Sequence, residues 1–592
     1  MRTSPFQSIS KSPVISERPI DEARPLKVIF IGAGISGIIA GIKLPQILKN
    51  LDLVIYDKNP EIGGTWWENR YPGCACDIPA HSYQLSFESN PEWSKFYASS
   101  QEILEYWKRI VQKYNVEKYI KLRTQALEAS WDSEAAKWVV TLKNIETGQV
   151  FQDSADALLT GIGVLNDWKW PDIPGLHDFQ GKLLHSADWD SSYDYKNKRV
   201  AVIGAGSSGI QIVPSIQPHV QHIDHYVRGK TWIAPSFGSK FVEERNNGVD
   251  GNFAYTDKEI EEFKSNPAEY MKYRRSLEED MQGIFSLTHR GSLAQRAARD
   301  HFETLMKMRL SDPDLMEYMI PSSAPCCRRL TPGPGYLEAL GAENVTMIST
   351  RIEKITPTGV ITSDNIHREV DAIMCATGFD TSFLSRFRVQ GLGGVSLAER
   401  WTKSQEHSSY LSITTNDFPN FFMCLGPNSG VGNGSLVIML ESYVAYAAQC
   451  LAKLQTENIR TIAPKQEVVQ AFTSFCHAYF ERTVFSEDCS SWYKTSYPSL
   501  PSGQLAPAAD KAENGNLHVR VTALWPGSSL HAVKALAKPR WEDFEYTYMD
   551  GNNLGWLGDG WTKGDRAAER GFVVGNPDLS YYLKEGFLDG KT

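Results

Sequence analysis

No apolar run among the 592 residues is long enough to span a membrane. The nearest, Leu436 to Leu454, is interrupted by Glu441 and Gln449 and reads as a buried helix. An apolar h-region is also missing from the N-terminus, where Ser, Pro and charged residues stand in its place. The reading is therefore a chain with no signal peptide and a cytoplasmic location, whose residues 1 to 25 form a loosely draped arm. An excess of basic residues is lacking too. With 61 Lys and Arg against 70 Asp and Glu the formal charge is −9, which leaves no electrostatic case for nucleic acid or an anionic membrane as partner. Cysteine is sparse and unpatterned: nine residues, an odd count, with Cys74/Cys76 and Cys326/Cys327 as the only local pairs. Neither pair has a matching second pair with His at ligand spacing, so no metal centre is predicted, and buried free thiols are.

What is present is a globular composition, 42% hydrophobic and 22% charged, in a chain long enough for several domain-sized units. Lys27 to Ile38 reads as an apolar strand running into Gly32-Ala33-Gly34-Ile35-Ser36-Gly37 and then a helix. In such a G-x-G-x-x-G turn the first glycine allows the tight bend and the second lets backbone N–H groups approach a pyrophosphate. The third lets the helix pack closely on the strand. The next apolar strand, Leu53 to Tyr56, ends in Asp57, placed to accept hydrogen bonds from ribose hydroxyls, so an adenine dinucleotide with a free 2′-OH fits: FAD or NAD.

The same pattern returns 172 residues later as Gly204, Gly206, Ser207, Ser208 and Gly209 after the strand Arg199 to Ile203. Its following strand, His222 to Val227, ends in Arg228, Gly229 and Lys230 where the first unit carries Asp57. Cations there would pair with a 2′-phosphate that an acid would repel. Together the two units read as an FAD site and an NADPH site, with hydride transfer between bound cofactors as the reason for having both. The predicted fold class is α/β, with two Rossmann-like dinucleotide-binding domains and a helical insertion.

Between the fingerprints lies Phe179 to Asp190, F-x-G-x-x-x-H-x-x-x-W-D, and after Asp57 comes Gly63 to Asp77, G-G-T-W-W-E-N-R-Y-P-G-C-A-C-D. On these two motifs, the chain resembles the Baeyer–Villiger monooxygenases of the class B flavoproteins. Trp189 favours that branch over the related N- and S-oxygenases, which usually carry another residue there. Ala376 to Asp380, matching a flavin-domain return strand, and Gly426-Pro427-Asn428 extend the resemblance. Thr522 to Gly527 and Trp541 to Tyr546 resemble the larger fungal members.

The resemblance implies Arg329 as the active-site arginine, Asp77 as its acid partner and Arg328 as a contact to the nicotinamide nucleotide. On the flavin side it implies Gly64, Thr65 and Trp66 together with Ala75, Cys76, Ile78 and Tyr83. The implied reaction takes a ketone, O2 and NADPH through a C4a-peroxyflavin to an ester or lactone, and the fungal type of C-terminus suggests a bulky polycyclic, terpenoid or polyketide ketone made in secondary metabolism. The rivals are an N- or S-oxygenase of the same class, and a flavin-linked NADPH reductase, which would normally show a redox C-x-x-C. His185 reads as a structural hydrogen-bonder and Gly181 to His185 as part of a linker between the two cofactor domains, with Trp189 packed behind. The oligomeric state is not legible.

The organisation expected is an FAD domain of residues 26–165 and 370–545 and an NADP domain of 166–369. The latter carries a helical insertion over about 240–325, and a tail of 546–592 wraps the surface. Residues 503–515 read as an exposed loop before a strand at Leu517 to Leu524.

Overall fold

The computed structural model describes residues 15–247, 251–310, 312–384, 386–498, 517–570 and 579–583. Two parallel five-stranded sheets organise the chain. In the first, Leu26–Ile31 lies between Leu51–Tyr56 and Ala157–Thr160, with Phe421–Met423 and Ile120–Lys121 at the edges. In the second, Arg199–Ile203 lies between His222–Tyr226 and Ala372–Cys375, with Val345–Ile348 and Lys182–His185 at the edges. Leu26–Ile31 and Arg199–Ile203 are all but entirely buried apolar runs, as strands covered on both faces require.

Each central strand feeds a glycine turn and a helix, Ile35–Ile47 in the first unit and Ser207–Ile216 in the second. The two turns are near copies. Gly32 has φ +112° and Gly204 +110°, and a Cβ on Gly37 or Gly209 would lie 2.0 Å from the carbonyl oxygen of the first glycine of its own turn. Only glycine allows the helix to approach its strand that closely.

An antiparallel meander of Thr124–Asp132, Lys137–Asn144 and Val150–Ala155 extends the first unit, and Arg388–Gln390 joins its edge. The stretch read as an insertion carries the helices Ser239–Arg245, Asp257–Ser265, Pro267–Gly283, Leu293–Arg309 and Pro313–Met319. Asp257–Ser265 begins with a reciprocal capping box between Thr256 and Glu259. Leu436–Thr456 is, among the described residues, the one helix long and apolar enough to cross a membrane. It is a core helix here: Tyr443, Val444, Ala447, Ala448 and Leu451 are fully buried, and it packs on Ile35–Ile47.

Several expected boundaries shift. Lys182–His185 is an edge strand of the second sheet rather than a linker, and pairs in parallel with Ala372–Cys375. Those four residues are too few to show a strand period, and their partner lies almost two hundred residues away. The second unit therefore continues past residue 370, and Ala376 to Asp380 is a loop leaving its sheet, not a return strand of the flavin unit. The Ala376 carbonyl oxygen lies 2.4 Å from where a Cβ of Gly204 would stand, so this loop closes over the second glycine turn.

The arm is anchored over its described part. Arg24 donates to the carbonyl oxygens of Leu454 and Ile459, Arg18 to Asn458, and the Ile20 N–H to the Trp561 carbonyl oxygen. Residues 1–14, the loop at 503–515 and most of the tail after 570 lie outside the described residues. The tail boundary at 546 cuts through a strand, Phe544–Tyr548, which pairs with Ile459–Pro464. Trp556 and Trp561 lie on the surface as expected.

Candidate active site

The first glycine turn opens into a groove. Gly32, Gly34, Asp57, Gly64, Thr65 and Tyr83 line it, joined by Thr124, Gln125, Gly161 and Arg386. The last four were not legible as site residues, because each reaches the groove from a distant segment with no motif around it. Gly34 and Gly64 face each other: a Cβ on Gly64 would stand 3.1 Å from the Gly34 Cα. Gly37 supports the turn from behind. Trp66 meets Tyr83 edge-to-face at 5.5 Å, making an aromatic wall beside the groove.

Asp57 is buried, which raises its pKa. It accepts from the Ala33 N–H at 2.6 Å and the Asn59 N–H at 2.7 Å, and these bonds oppose that rise. It thus braces the glycine turn as well as lining the groove, and each carboxylate oxygen keeps a lone pair for a ribose hydroxyl.

The loop after the groove crosses to the second unit. A Cβ on Gly73 would fall 2.1 Å from the Ser215 hydroxyl, Tyr71 donates to Gln211, and Gln211 donates to the Ala75 carbonyl oxygen. The Tyr71-Pro72-Gly73 turn therefore rests on helix Ser207–Ile216. From there the chain runs through Cys76, whose thiol burial pushes upward in pKa, to Asp77 and Ile78.

Asp77 meets Arg329. The Nη2 of Arg329 donates to both carboxylate oxygens at 2.8 Å, and its guanidinium lies 5.6 Å from the Phe237 ring centroid. Burial disfavours the charge on Arg329, but Asp77 and the Tyr493 hydroxyl outweigh it and raise the pKa above its ordinary value. Arg329 is therefore a fixed cation. The Tyr83 hydroxyl is pushed up chiefly by burial and also feels Asp77 and Arg329, which places the ion pair beside the groove. The two residues are 252 apart in sequence and come together because Arg329 leads into the short strand Thr331–Pro332, paired with Ile233–Ala234 of the second unit.

The second nucleotide turn is open. Gly206 and Ser207 are exposed, Ser208 is half-buried, and a Cβ on Gly206 would meet nothing. Arg228, Gly229 and Lys230 are exposed as well. Arg328 reaches over them, its Nη1 donating to the Lys230 carbonyl oxygen at 3.0 Å and lying 3.5 Å from a Cβ position on Gly229. Lys230 turns to the Glu317 carbonyl oxygen, so two of the three expected cations, Arg328 and Lys230, are already engaged by backbone carbonyls.

Residues 25–240 match the family of flavin-binding monooxygenase-like proteins. The FAD-binding monooxygenase tazF of Aspergillus terreus is 40% identical over 561 residues, covering 94% of this chain and 94% of its own. A Baeyer–Villiger monooxygenase of Pseudomonas aeruginosa is 34% identical over 497 residues, 83% of this chain and 89% of its own. This chain belongs to the flavin-binding monooxygenases, among the Baeyer–Villiger type. Crystalline cyclohexanone monooxygenase from Rhodococcus sp. Phi1, bound to NADP+, superposes with a TM-score of 0.73 at 25% identity over 89% of this chain and 100% of that one. The enzyme is an NADPH-dependent flavin monooxygenase with FAD and NADPH as cofactors.

The monooxygenase fits both groups by its own geometry. The facing glycines Gly34 and Gly64 leave a cradle that side chains would fill, and the open Gly206 turn presents a helix N-terminus to an anion. In contrast to the free thiols expected, Cys327 and Cys489 form a disulfide across 162 residues of sequence, a pairing that nothing local could reveal. The other seven cysteines are free and buried.

His185 of the monooxygenase is fully buried, stacks on Trp168 at 4.2 Å, accepts from the Ala187 N–H at Nδ1 and faces Thr377 Oγ1 with Nε2. Trp189, 5% exposed, packs in the core of the second unit. Burial lowers the pKa of His185 to about 4, of His225 to about 4 and of His81 to about 3, from 6.5. A group depressed in the folded state gives full stability above pH 6.5 and loses it as pH falls toward the folded value. The thermal midpoint is therefore expected to drop steeply between pH 6.5 and 4, and His185→Asn to flatten that slope in calorimetry. An unchanged slope would remove His185 from the account.

Proposed function

We propose that the monooxygenase converts a ketone to an ester or lactone with one oxygen atom of O2, and that Arg329 with Asp77 carries the step. The observation that carries the reading is a permanently charged guanidinium held by a carboxylate, with the charges of both felt by the groove-lining Tyr83. When bound, FAD reduced by NADPH supplies the activated oxygen. What the chain adds is electrostatic: Arg329 stabilises negative charge growing on the reacting oxygens, in a site dry enough for that charge to count. Asp77 fixes the guanidinium and moderates its charge, and it moves no proton.

The dinucleotide contacts fall into two sets. Gly32, Gly34, Gly37, Asp57, Gly64, Thr65 and Trp66 hold the flavin dinucleotide, with Ala75, Cys76, Asp77, Ile78 and Tyr83 on its reactive side. Gly204, Gly206, Ser207, Ser208 and Gly209 hold the pyrophosphate of NADPH. Arg228, Gly229, Lys230 and Arg328 form its 2′-phosphate and nicotinamide contacts. The flavin unit spans 26–165 and the stretch from about 388 to 545, the NADP unit what lies between, and the location is cytoplasmic.

A bulky polycyclic, terpenoid or polyketide ketone is the proposed substrate class, supported by full-length likeness to a fungal relative. The test is mass spectrometry on a panel of cyclic and polycyclic ketones incubated with enzyme, NADPH and 18O-labelled O2. Expected are ketone-stimulated NADPH consumption and an ester carrying one labelled oxygen. Label appearing only in amine or sulfide oxides, or no labelled product beside NADPH consumption, sinks the reading.

A further inference from the structure

Arg329 touches Asp77 through one nitrogen only, since both 2.8 Å contacts come from Nη2. A planar guanidinium held at a single nitrogen can still swing about that contact, so a second contact is needed to fix its plane. The hydroxyl of Tyr493, 3% exposed, stands beside the guanidinium and favours its charge. Tyr493 packs into the same core as Cys326 and Leu330, and its carbonyl oxygen accepts from the Thr522 and Ala523 N–H groups at 3.0 and 3.2 Å. That strand end in turn accepts from the N–H groups of Asn428 and Gly430. The loop carrying Tyr493 is tied to the loop carrying Arg329 by the Cys327–Cys489 disulfide, two residues from Arg329 and four from Tyr493, and by the Ala324 N–H on Glu487 at 2.9 Å.

We propose that Tyr493 is a positioning residue for Arg329 and that the Cys327–Cys489 disulfide latches the two together, so that the redox state of this pair sets how well the site protects activated oxygen. The proposal rests on the reading of Arg329 given above. The latch is built to be opened. Cys327 is fully buried while Cys489 is half-exposed between exposed Asp488 and Ser490, so Cys489 Sγ is the sulfur an incoming thiolate can reach. The Lys494 ammonium lies 3.5 Å from Cys327 Sγ and 3.4 Å from Cys489 Sγ, where it stabilises the departing thiolate. A thiolate of a dithiol reductant attacks Cys489 Sγ, the S–S bond breaks, and Cys327 leaves as a thiolate that then takes a proton. The second thiol of the reductant displaces Cys489. Two protein thiols form, the dithiol becomes a cyclic disulfide, and two electrons with two protons have passed to the protein.

The test uses the full FAD-loaded enzyme with NADPH and O2 and no ketone. Alkylation after denaturation is expected to label seven of the nine cysteines before dithiothreitol treatment and all nine after it. After removal of the reductant, the ketone-free rate of NADPH oxidation with H2O2 release is expected to rise about fivefold, because a loosened site loses activated oxygen as peroxide. Flavin content and the anaerobic rate of flavin reduction stay the same, which a general loss of structure would not allow. Cys489→Ser should show the raised rate and no response to dithiothreitol, and Tyr493→Phe the raised rate with the disulfide intact.

Nine alkylated thiols even after treatment with oxidised dithiothreitol, or an unchanged rate once all nine are labelled, overturns the latch. A neutral Tyr493→Phe overturns the positioning role. Arg329→Ala run in parallel separates the two readings. If it alone raises the peroxide rate, the latch and the positioning role of Tyr493 fail while the role of Arg329 stands. If it too changes nothing, the role of Arg329 fails.

Discussion

Arg329→Ala is expected to retain FAD and to lose ester formation, with kcat/KM for a ketone falling by about 10²–10³-fold, roughly 3–4 kcal/mol of transition-state stabilisation. The loss has a specific cause. The guanidinium is a cation whose charge Asp77 and Tyr493 secure against burial, and no other cation makes a hydrogen bond or ion pair to Asp77 among the described residues. Alanine leaves the Asp77 carboxylate beside the groove, where its charge opposes the negative charge the reaction develops. NADPH is still consumed, and its electrons leave as H2O2. Arg329→Lys should recover only part of the loss, since an ammonium keeps the charge but not the planar fork. The measurement is product by mass spectrometry against peroxide released, per NADPH oxidised. An alanine variant that makes ester at an undiminished rate would falsify the assignment.

Nearly as large an effect is expected from a pair of glycine substitutions that separates the two nucleotide units. In Gly209→Val a Cβ would fall 2.0 Å from the Gly204 carbonyl oxygen, a backbone atom that cannot swing aside as a flexible side chain would. The second turn must deform, and NADPH affinity should fall at least about tenfold while the bound flavin and its yellow absorbance remain. Gly37→Val makes the same 2.0 Å clash in the first turn with Gly32 and should instead give protein depleted of FAD. Flavin content by absorbance and NADPH binding by titration read the two independently. If both variants lose the same cofactor, or if neither loses any, the assignment of one dinucleotide to each unit fails.

The legible parts of this protein share a property: each is encoded within a short stretch of chain. Gly32 to Gly37 and Gly204 to Gly209 could be recognised because a pyrophosphate turn needs glycines at fixed offsets between a strand and a helix. The steric contacts show why the first and third offsets allow no other residue. Asp57 was found by register with the following strand, though its bonds to Ala33 and Asn59 show it bracing the turn as well. The helical insertion was legible from charged helical stretches such as Thr256 to Phe263 and Leu293 to Arg309. The Arg329–Asp77 pair came from resemblance to a family rather than from any local physics, and by itself Arg328-Arg329 reads as an ordinary basic surface pair.

The missed features are those in which two distant segments meet. Lys182–His185 becomes a strand only because Ala372–Cys375 lies alongside it, which in turn moves the return to the flavin unit beyond residue 370. Thr124, Gly161 and Arg386 line the groove with no motif of their own. Cys327 and Cys489, taken singly, are two small apolar-tolerant residues, and only the fold brings their sulfurs within bonding distance.

The sequence by itself determined that two dinucleotides are held, because turn chemistry is set by residues a few positions apart and needs no tertiary partner. The tertiary structure decided what stands around Arg329. Asp77 comes from the loop that crosses from the first unit, and Tyr493 from a loop fastened by a long-range disulfide. A fixed cation in a partly dry site depends on which carboxylate, hydroxyl and ring the folding of distant segments brings within a few ångströms, and no local pattern records those distances.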